Sequence, residues 1–410
     1  MRISIEDQVR TLMQGTDYGD PELKSAMGRE LGERLAEAAR EGRPLRVYCG
    51  FDPRTTDLHL GHTVPIRKLR QFQELGHEVF FVVGTYTSLI GDPSDKTGLR
   101  PKLGREGAAA NGRTYAEQAF RILDPARTHV CFNHEWLEGL SFYELIGLAS
   151  NFSVQQFLTR ENFKLRFQKG DPVYLHEMFY SLMQGYDAFH LRTDVQVGGT
   201  DQVFNIVTAS RKIMSALGER PNTAVIVRIL PGTDGEVKMS KSLGNHIPIL
   251  SQPADMYGKI MSLPDKAMRP FFELVTALSP SEIDGVFRGG GPEAAHPRDV
   301  KMRLAREVVS AFHSPNLALQ AEEEFVRIFR KNEAPSDMQV FRVRGPRSVV
   351  DVMTMSGLSP TRSEARRLIS QRGVRTDGRI IAGPEEVISG ETVLQAGKRR
   401  FMRIVVEEET

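Results

Sequence analysis

At 410 residues the chain exceeds what one ordinary core organises, so two or three domains with ample apolar surface to bury are expected. Its 40% hydrophobic and 26% charged residues are those of a soluble globular protein, and a net charge of +2 excludes a surface coated in basic groups, so any nucleic-acid contact must come from local patches. Only two cysteines occur, Cys49 and Cys131, neither with a Cys or His neighbour at ligand spacing, which argues against a disulfide framework and a structural zinc site.

The N-terminus carries Arg2, Glu6 and Asp7 without the apolar core of a signal peptide, and no apolar run reaches the ~18 residues of a membrane span. A cytoplasmic protein without membrane contact is expected. Leu31, Leu35 and Ala38 share one face of a helix over 29–41 that Gly42 and Pro44 stop, and 45–49 follows as a short buried strand. His59-Leu60-Gly61-His62 opens the next helix, in which Ile66, Leu69 and Phe72 recur at helical spacing before Gly76. Val79-Phe80-Phe81-Val82-Val83 is an uninterrupted apolar strand of the kind parallel sheets bury on both faces. Helical and strand patterns then alternate through 115–123, 128–132, 174–189, 195–197 and 225–230. That alternation predicts an α/β, doubly wound, Rossmann-like parallel sheet with a ligand crevice at the strand C-terminal ends.

Past Ile249 the strand signals stop, and 254–261, 269–278, 299–312 and 317–329 read as consecutive helices. The Pro- and Gly-bearing stretch 331–346 reads as a linker. Beyond it, Ser363-Glu364-Ala365-Arg366-Arg367-Leu368-Ile369 forms a basic amphipathic helix, followed by a turn at Asp377-Gly378. This helix-plus-hairpin pattern resembles the small α+β RNA-binding fold of a small-subunit ribosomal protein; the alternative is a charged, solvated helix in a docking domain.

Two motifs carry the chemistry. The histidine pair sits at a helix N-terminus, where free backbone N–H groups and the dipole favour phosphate. Far downstream, Lys238-Met239-Ser240-Lys241-Ser242 places two lysines on a loop that Gly244 keeps mobile, suited to closing over a triphosphate as pyrophosphate leaves. Each alone is weak, since a His-x-Gly-His occurs by chance in loops and a Lys/Ser run is usually a surface turn. Their order and their separation by most of an α/β domain make the pair specific.

With these motifs the chain resembles the class I aminoacyl-tRNA synthetases, and Tyr48-Cys49-Gly50-Phe51-Asp52-Pro53 ahead of the histidines makes it similar to their bacterial tyrosyl branch. The resemblance implies activation of tyrosine with ATP to tyrosyl-adenylate and pyrophosphate, then transfer to the 3′ end of tRNA(Tyr). It implies that His59 and His62 hold the ATP phosphates, that Lys238 and Lys241 clamp the departing pyrophosphate, and that Lys96 and Arg100 reach it from the other side. Gly50 and Asp52 line the adenylate cleft. Mg²⁺ accompanies ATP, with no prosthetic group or metal site of the protein's own. Two positions depart from the family pattern: Arg54 stands where a threonine is usual, with Thr55 adjacent but out of register, and Asp95 stands where glycine is common.

Tyr180, Gln184 and Asp187 lie at i, i+4 and i+7 on one helix, so they project from a single face. By helix pattern alone such a face is more often solvated. The resemblance makes it a tyrosine pocket, in which the substrate ammonium meets Tyr180, Gln184 and Asp92 and its phenol meets Asp187 and Tyr48. Phenylalanine would leave the carboxylate and the phenol unpaired, a discrimination for which tyrosyl enzymes are the standing example, so no editing domain is expected. Gly198-Gly199-Thr200-Asp201-Gln202 follows a strand and opens a helix; its glycines admit close backbone approach, Asp201 suits ribose hydroxyls, and Gln196 and Gln202 suit the substrate or adenylate.

The expected division is a catalytic domain over 1–247 with a helical insertion, an α-helical anticodon-binding domain over 248–332, a linker over 333–346 and the RNA-binding domain over 347–410. The resemblance also implies a homodimer through the insertion around Phe142 to Phe167; packing of Phe152, Phe157, Phe163 and Phe167 inside one subunit is the alternative. Three rivals remain at this stage: a tryptophanyl-tRNA synthetase, a non-catalytic RNA-binding paralogue, and a smaller nucleotidyltransferase using the histidine motif alone.

Overall fold

The computed structural model describes residues 3–53, 55–93, 105–288, 296–330, 338–397 and 400–407. They form two compact units: the chain through Gln252 with Lys259–Phe312, and Pro253–Gly258 with the chain from His313 onward. The helical run after Ile249 is thus divided between them.

The first unit is built on β1 (Arg46–Phe51), β2 (Glu78–Val83), β3 (Thr128–Phe132), β4 (Val195–Gly199) and β5 (Thr223–Val227), all parallel, in the order β3-β2-β1-β4-β5. The apolar runs that predict strands are these strands, because helices cover both faces and select against polar residues: Val79, Phe81, Val82 and Val83 are fully buried, as is every residue of β5. The order reverses between β1 and β4, and a crevice opens there beyond the strands' C-terminal ends.

The helix before β1 runs from Pro21 to Glu41, longer than its apolar face suggests, because Asp20 caps it at Glu22 N (2.8 Å) and Gly42 ends it at φ +66°. Residues 15–17 are a feature the sequence does not announce. Asp17 N donates to Ile226 O (2.8 Å) and Arg228 N to Gly15 O (3.1 Å), so this segment covers the exposed edge of β5. The strand expected over 225–230 ends at Val227, and the chain then turns toward the lysine loop.

The double glycine at Gly198-Gly199 closes β4 and opens not a regular α-helix but a 3₁₀ turn (Thr200–Gln202), a π-helical turn (Phe204–Ser210) and a short α-helix (Arg211–Ala216). Phe157 and Phe163, from the helical insertion, are buried beside Leu182 and Ile213 of the same unit, with Phe152 packed against them. Phe142, Tyr143, Ile146, Leu165 and Phe167 of that insertion are exposed.

In the second unit β6 (Val340–Arg344), β7 (Arg347–Ser348), β8 (Val374–Thr376), β9 (Arg379–Ile380), β10 (Val387–Ile388), β11 (Thr392–Ala396) and β12 (Arg400–Glu407) form a five-stranded sheet ordered β6-β12-β11-β8-β9 and a small β7-β10 pair. β6 corrects the expected linker: Val340–Arg344 pairs parallel to β12. The predicted basic helix spans Arg362–Ser370, burying Ala365 and Ile369 and exposing Arg362, Arg366 and Arg367. Asp377 (φ +45°) and Gly378 (φ +82°) make the two-residue turn between β8 and β9.

Candidate active site

The histidine motif begins the helix Leu60–Glu74, with His59 at its N-cap. Leu60 N donates to Ile247 O (3.0 Å) and Ile249 N to Leu58 O (3.1 Å), so the chain leaving the lysine loop is tied antiparallel to the histidine segment. Backbone pairing therefore brings the two motifs together. Gly61 lies between them, since a Cβ there would meet the His59 ring at 3.0 Å and Met239 Cβ at 3.4 Å.

The two imidazoles stack with ring centroids 3.8 Å apart. His59 N–H donates to His62 Nδ1 (3.2 Å), which leaves the His62 proton on Nε2. Burial, reinforced by repulsion from His62, His246 and Lys238, pulls His59 down to about 2, and burial with Lys238 and His246 pulls His62 to about 3. Both rings are held neutral at physiological pH, able to donate or accept hydrogen bonds but not to act as cations. His59 Nδ1 is buried with no hydrogen-bond partner among the described residues.

Positive charge comes from the lysine loop. Lys238 Nζ lies 2.6 Å from Asp201 Oδ2 and Lys241 Nζ 3.3 Å from Asp57 Oδ2, both only partly buried. Ser240 N donates to Asn245 Oδ1 (2.8 Å) and Met239 N to Leu230 O (3.1 Å), fixing the loop's backbone while both ammonium groups stay at the rim. Ion pairs this exposed are weak enough to be exchanged for a phosphate.

At the closed end stands Asp187, buried on the helix Leu175–His190. Its carboxylate accepts from Trp136 Nε1 (2.7 Å), Tyr48 OH (3.3 Å) and Asn133 Nδ2 (3.3 Å). Burial raises it to about 7 against the lowering effect of these donors. The Tyr48 phenol is pushed well above its ordinary value, first by burial and then by Asp187.

Between the two ends lie Asp52, which accepts from Thr87 Oγ1 (2.7 Å) and Tyr180 OH (3.2 Å), and Asp92, which accepts from Gln202 Nε2. Gln184 Oε1 is buried and makes no hydrogen bond among the described residues, an acceptor suited to a substrate cation. Gly84 is required here, because a Cβ would overlap Asp52 Oδ1 and Thr87 Oγ1.

One cavity of about 950 Å³ joins all of this. Tyr48, Gly50, Asp52, His59, His62, Asp92, Tyr180, Gln184, Asp187, Gly198, Asp201, Gln202, Lys238 and Lys241 all line it. Gln196 does not; it is buried in β4, where its amide oxygen accepts from Asn222 Nδ2 (2.7 Å). Lys96, Arg100, Arg54 and Asp95 lie outside the described residues. Sequence reasoning missed Thr87, Asn133 and Trp136, and also the hydroxyl pair Thr55 and Tyr115 (3.1 Å) in the cavity wall. Thr87, Asn133 and Trp136 follow the C-terminal ends of β2 and β3, which is where the crevice rule would have directed a search.

A doubly wound sheet with a histidine pair and two lysines gathered at its switch point is the architecture of a nucleotide-binding α/β protein. The chain belongs to the class I tRNA synthetases of the tryptophan and tyrosine group: the family model tRNA synthetases class I (W and Y) matches residues 40–330. The S4 domain model matches residues 347–394. The chain is 46% identical to a tyrosine–tRNA ligase of Moorella thermoacetica, covering 97% of this chain and 95% of that protein, and 42% identical to one of Geobacter sulfurreducens, covering 98% and 99%. Its fold is shared with the crystal structure of tyrosyl-tRNA synthetase complexed with L-tyrosine from Archaeoglobus fulgidus (TM-score 0.62, 20% identity, 78% of this chain and 100% of that chain). It is shared more distantly with tryptophanyl-tRNA synthetase from Giardia lamblia (TM-score 0.53, 15% identity, 71% and 82%).

Proposed function

We propose that the chain is a tyrosine–tRNA ligase, activating L-tyrosine with ATP and passing the tyrosyl group to the 3′ end of tRNA(Tyr). The observation that carries this reading is the buried Asp187 with Tyr48 at the closed end of a cavity whose open end holds the histidine pair and both lysines. A phenol can donate to Asp187 and accept the hydroxyl proton that Tyr48 otherwise gives to Asp187, whereas an indole N–H offers only a donor. The full-length likeness to tyrosine–tRNA ligases supports the same substrate.

In this mechanism the substrate ammonium takes the Asp92 carboxylate and Gln184 Oε1, which leaves the tyrosine carboxylate directed toward the α-phosphate of ATP. An oxygen of that carboxylate attacks phosphorus, the bond to the bridging oxygen breaks, and pyrophosphate leaves. His62, donating from Nε2, and His59 stabilise the phosphates at the helix N-terminus without competing for protons. Lys238 and Lys241 exchange Asp201 and Asp57 for the leaving pyrophosphate, and the freed Asp201 accepts from ribose hydroxyls. Positioning and charge stabilisation carry the rate. Mg²⁺ enters with ATP as part of the substrate. In the second step the 3′-terminal adenosine hydroxyl attacks the tyrosyl carbonyl and AMP departs.

The S4 domain supplies RNA contact through the exposed arginines of the helix Arg362–Ser370, and the helices within 248–332 are assigned to the anticodon. Lys96 and Arg100 are assigned to pyrophosphate from the other side. A cytoplasmic setting fits a translation enzyme in which no described helix is long and apolar enough to cross a membrane. A homodimer through exposed Phe142, Tyr143, Ile146 and Phe167 accounts for apolar side chains that a solvated surface does not need; a monomer in sedimentation at micromolar concentration would exclude it. The reading itself is tested by ATP–pyrophosphate exchange with the twenty amino acids in parallel. Tyrosine alone should support exchange. Exchange with tryptophan instead, or with none, would overturn it.

A further inference from the structure

Five side chains form a closed ring at the Asp92 carboxylate. Arg160 Nη1 donates to Ser181 Oγ (3.0 Å), Ser181 Oγ to Asn205 Oδ1 (2.7 Å), and Asn205 Nδ2 to Gln202 Oε1 (2.9 Å). Gln202 Nε2 donates to Asp92 Oδ2, and Arg160 Nη2 closes the ring 3.8 Å from Asp92 Oδ1. The four hydrogen bonds all run from the guanidinium toward the carboxylate, so each polarises the next, and the 3.8 Å ion pair joins the two ends.

Arg160 is an unusual residue to find here. It caps the helix Glu161–Lys169, is only 6% exposed, and lies against the rings of Phe163 and Phe204, each 5.1 Å from its guanidinium carbon. Ser181 and Asn205 are fully buried, and Asn205 sits in the π-helical turn that replaces a regular helix after the double glycine. A cation sequestered this deeply needs a partner, and Asp92 is the nearest carboxylate the ring offers. The same loop is held a second time by Asn162 Nδ2, which donates to Pro93 O.

We propose that Arg160 is the positioning residue for recognition of the substrate's α-ammonium group. It fixes one face of the Asp92 carboxylate and, through Ser181 and Asn205, sets the orientation of the Gln202 amide so that its NH₂ faces Asp92. The Asp92 carboxylate, so oriented, and Gln184 Oε1 then present acceptors to the cavity, which suit an ammonium and disfavour an anionic group. Arg160 touches no substrate atom itself. The inference rests on the tyrosine-activation reading and adds to it how the amino group, as distinct from the phenol, is selected.

The test compares two ligands on the full-length protein: L-tyrosine, and 3-(4-hydroxyphenyl)propanoate, which keeps the phenol and carboxylate and lacks the ammonium. In Arg160→Gln the tyrosine KM in pyrophosphate exchange should rise about 10- to 100-fold with kcat changed far less, while the inhibition constant of the propanoate stays where it is in the wild type. Ser181→Ala, a milder change that also serves should Arg160→Gln fold poorly, should raise the same KM less. The two together should fall short of the product of their separate effects, since both break one ring. Arg160→Lys should recover part of the loss. An unchanged tyrosine KM, or an equal weakening of both ligands, would overturn the proposal and leave tyrosine activation standing. A wild-type protein without tyrosine-dependent exchange would overturn both.

Discussion

A carboxyl group raised by burial to about 7, as Asp187 is, is only about half ionised in neutral solution, and a phenol donating to it favours the ionised form. Tyrosine binding therefore draws Asp187 into its charged state and releases a proton. Affinity for tyrosine should fall as pH drops through about 7, measurable by equilibrium binding across pH ~5.5 to ~8, where the substrate's amino group stays largely protonated. Asp187→Asn should remove that pH dependence and weaken tyrosine about 10- to 100-fold; a retained inflection would place the titrating group elsewhere. The sign for folding is separate: a raised carboxyl contributes stability that is complete below the ordinary carboxylate range and lost as pH rises through about 7. His59 and His62 act oppositely. Their depressed values contribute stability that is present above the ordinary histidine range and lost as pH falls below it. Asp187, Tyr180 and Gln184 were legible because helical spacing puts them on one face and a family resemblance gives that face a ligand. Trp136, Asn133 and Arg160 were not, because each acts through a contact with a residue distant in sequence that no local pattern encodes.

The histidine helix and the lysine loop are separate elements that one stretch of backbone pairing, 58–60 against 247–249, holds together. Both motifs could be read from the residues; their tether could not, since it is made by main-chain groups whose side chains carry no signal. The strands of the parallel sheet were legible for a different reason, as two-sided burial writes a continuous apolar run. The cover over β5 and the π-helical turn escaped because a short edge segment and an unusual turn have no periodicity to detect. Among the described residues Lys241 pairs with Asp57 alone at the rim, so its contribution should appear when pyrophosphate leaves and not before. Lys241→Ala should lower the rate of adenylate formation by about 10²- to 10³-fold with tyrosine affinity in the free enzyme nearly unchanged, as read by rapid-quench and equilibrium binding. Equal losses in both would assign the lysine to the resting site.

At the scale of the whole molecule, the proposed function assigns the two half-reactions to different parts of the chain. Under the proposed function, activation should need only the cavity in the first unit, while tRNA charging should need RNA contact beyond it. Deleting residues from Pro346 onward should leave tyrosine-dependent exchange near the wild-type rate and cripple aminoacylation; undiminished charging would refute the RNA role of the S4 domain. The molecule's near-neutral net charge agrees with local basic surface in place of a global field. The most direct measurement is a crystal structure with a non-hydrolysable tyrosyl-adenylate analogue. It should show a single ligand spanning the cavity, its phenol within hydrogen-bond distance of Asp187 and Tyr48, its ammonium on Asp92 and Gln184, and its phosphate mimic nearest the His59–His62 pair. A ligand whose phenol points away from Asp187, or whose adenosine binds apart from the histidine helix, would contradict the account.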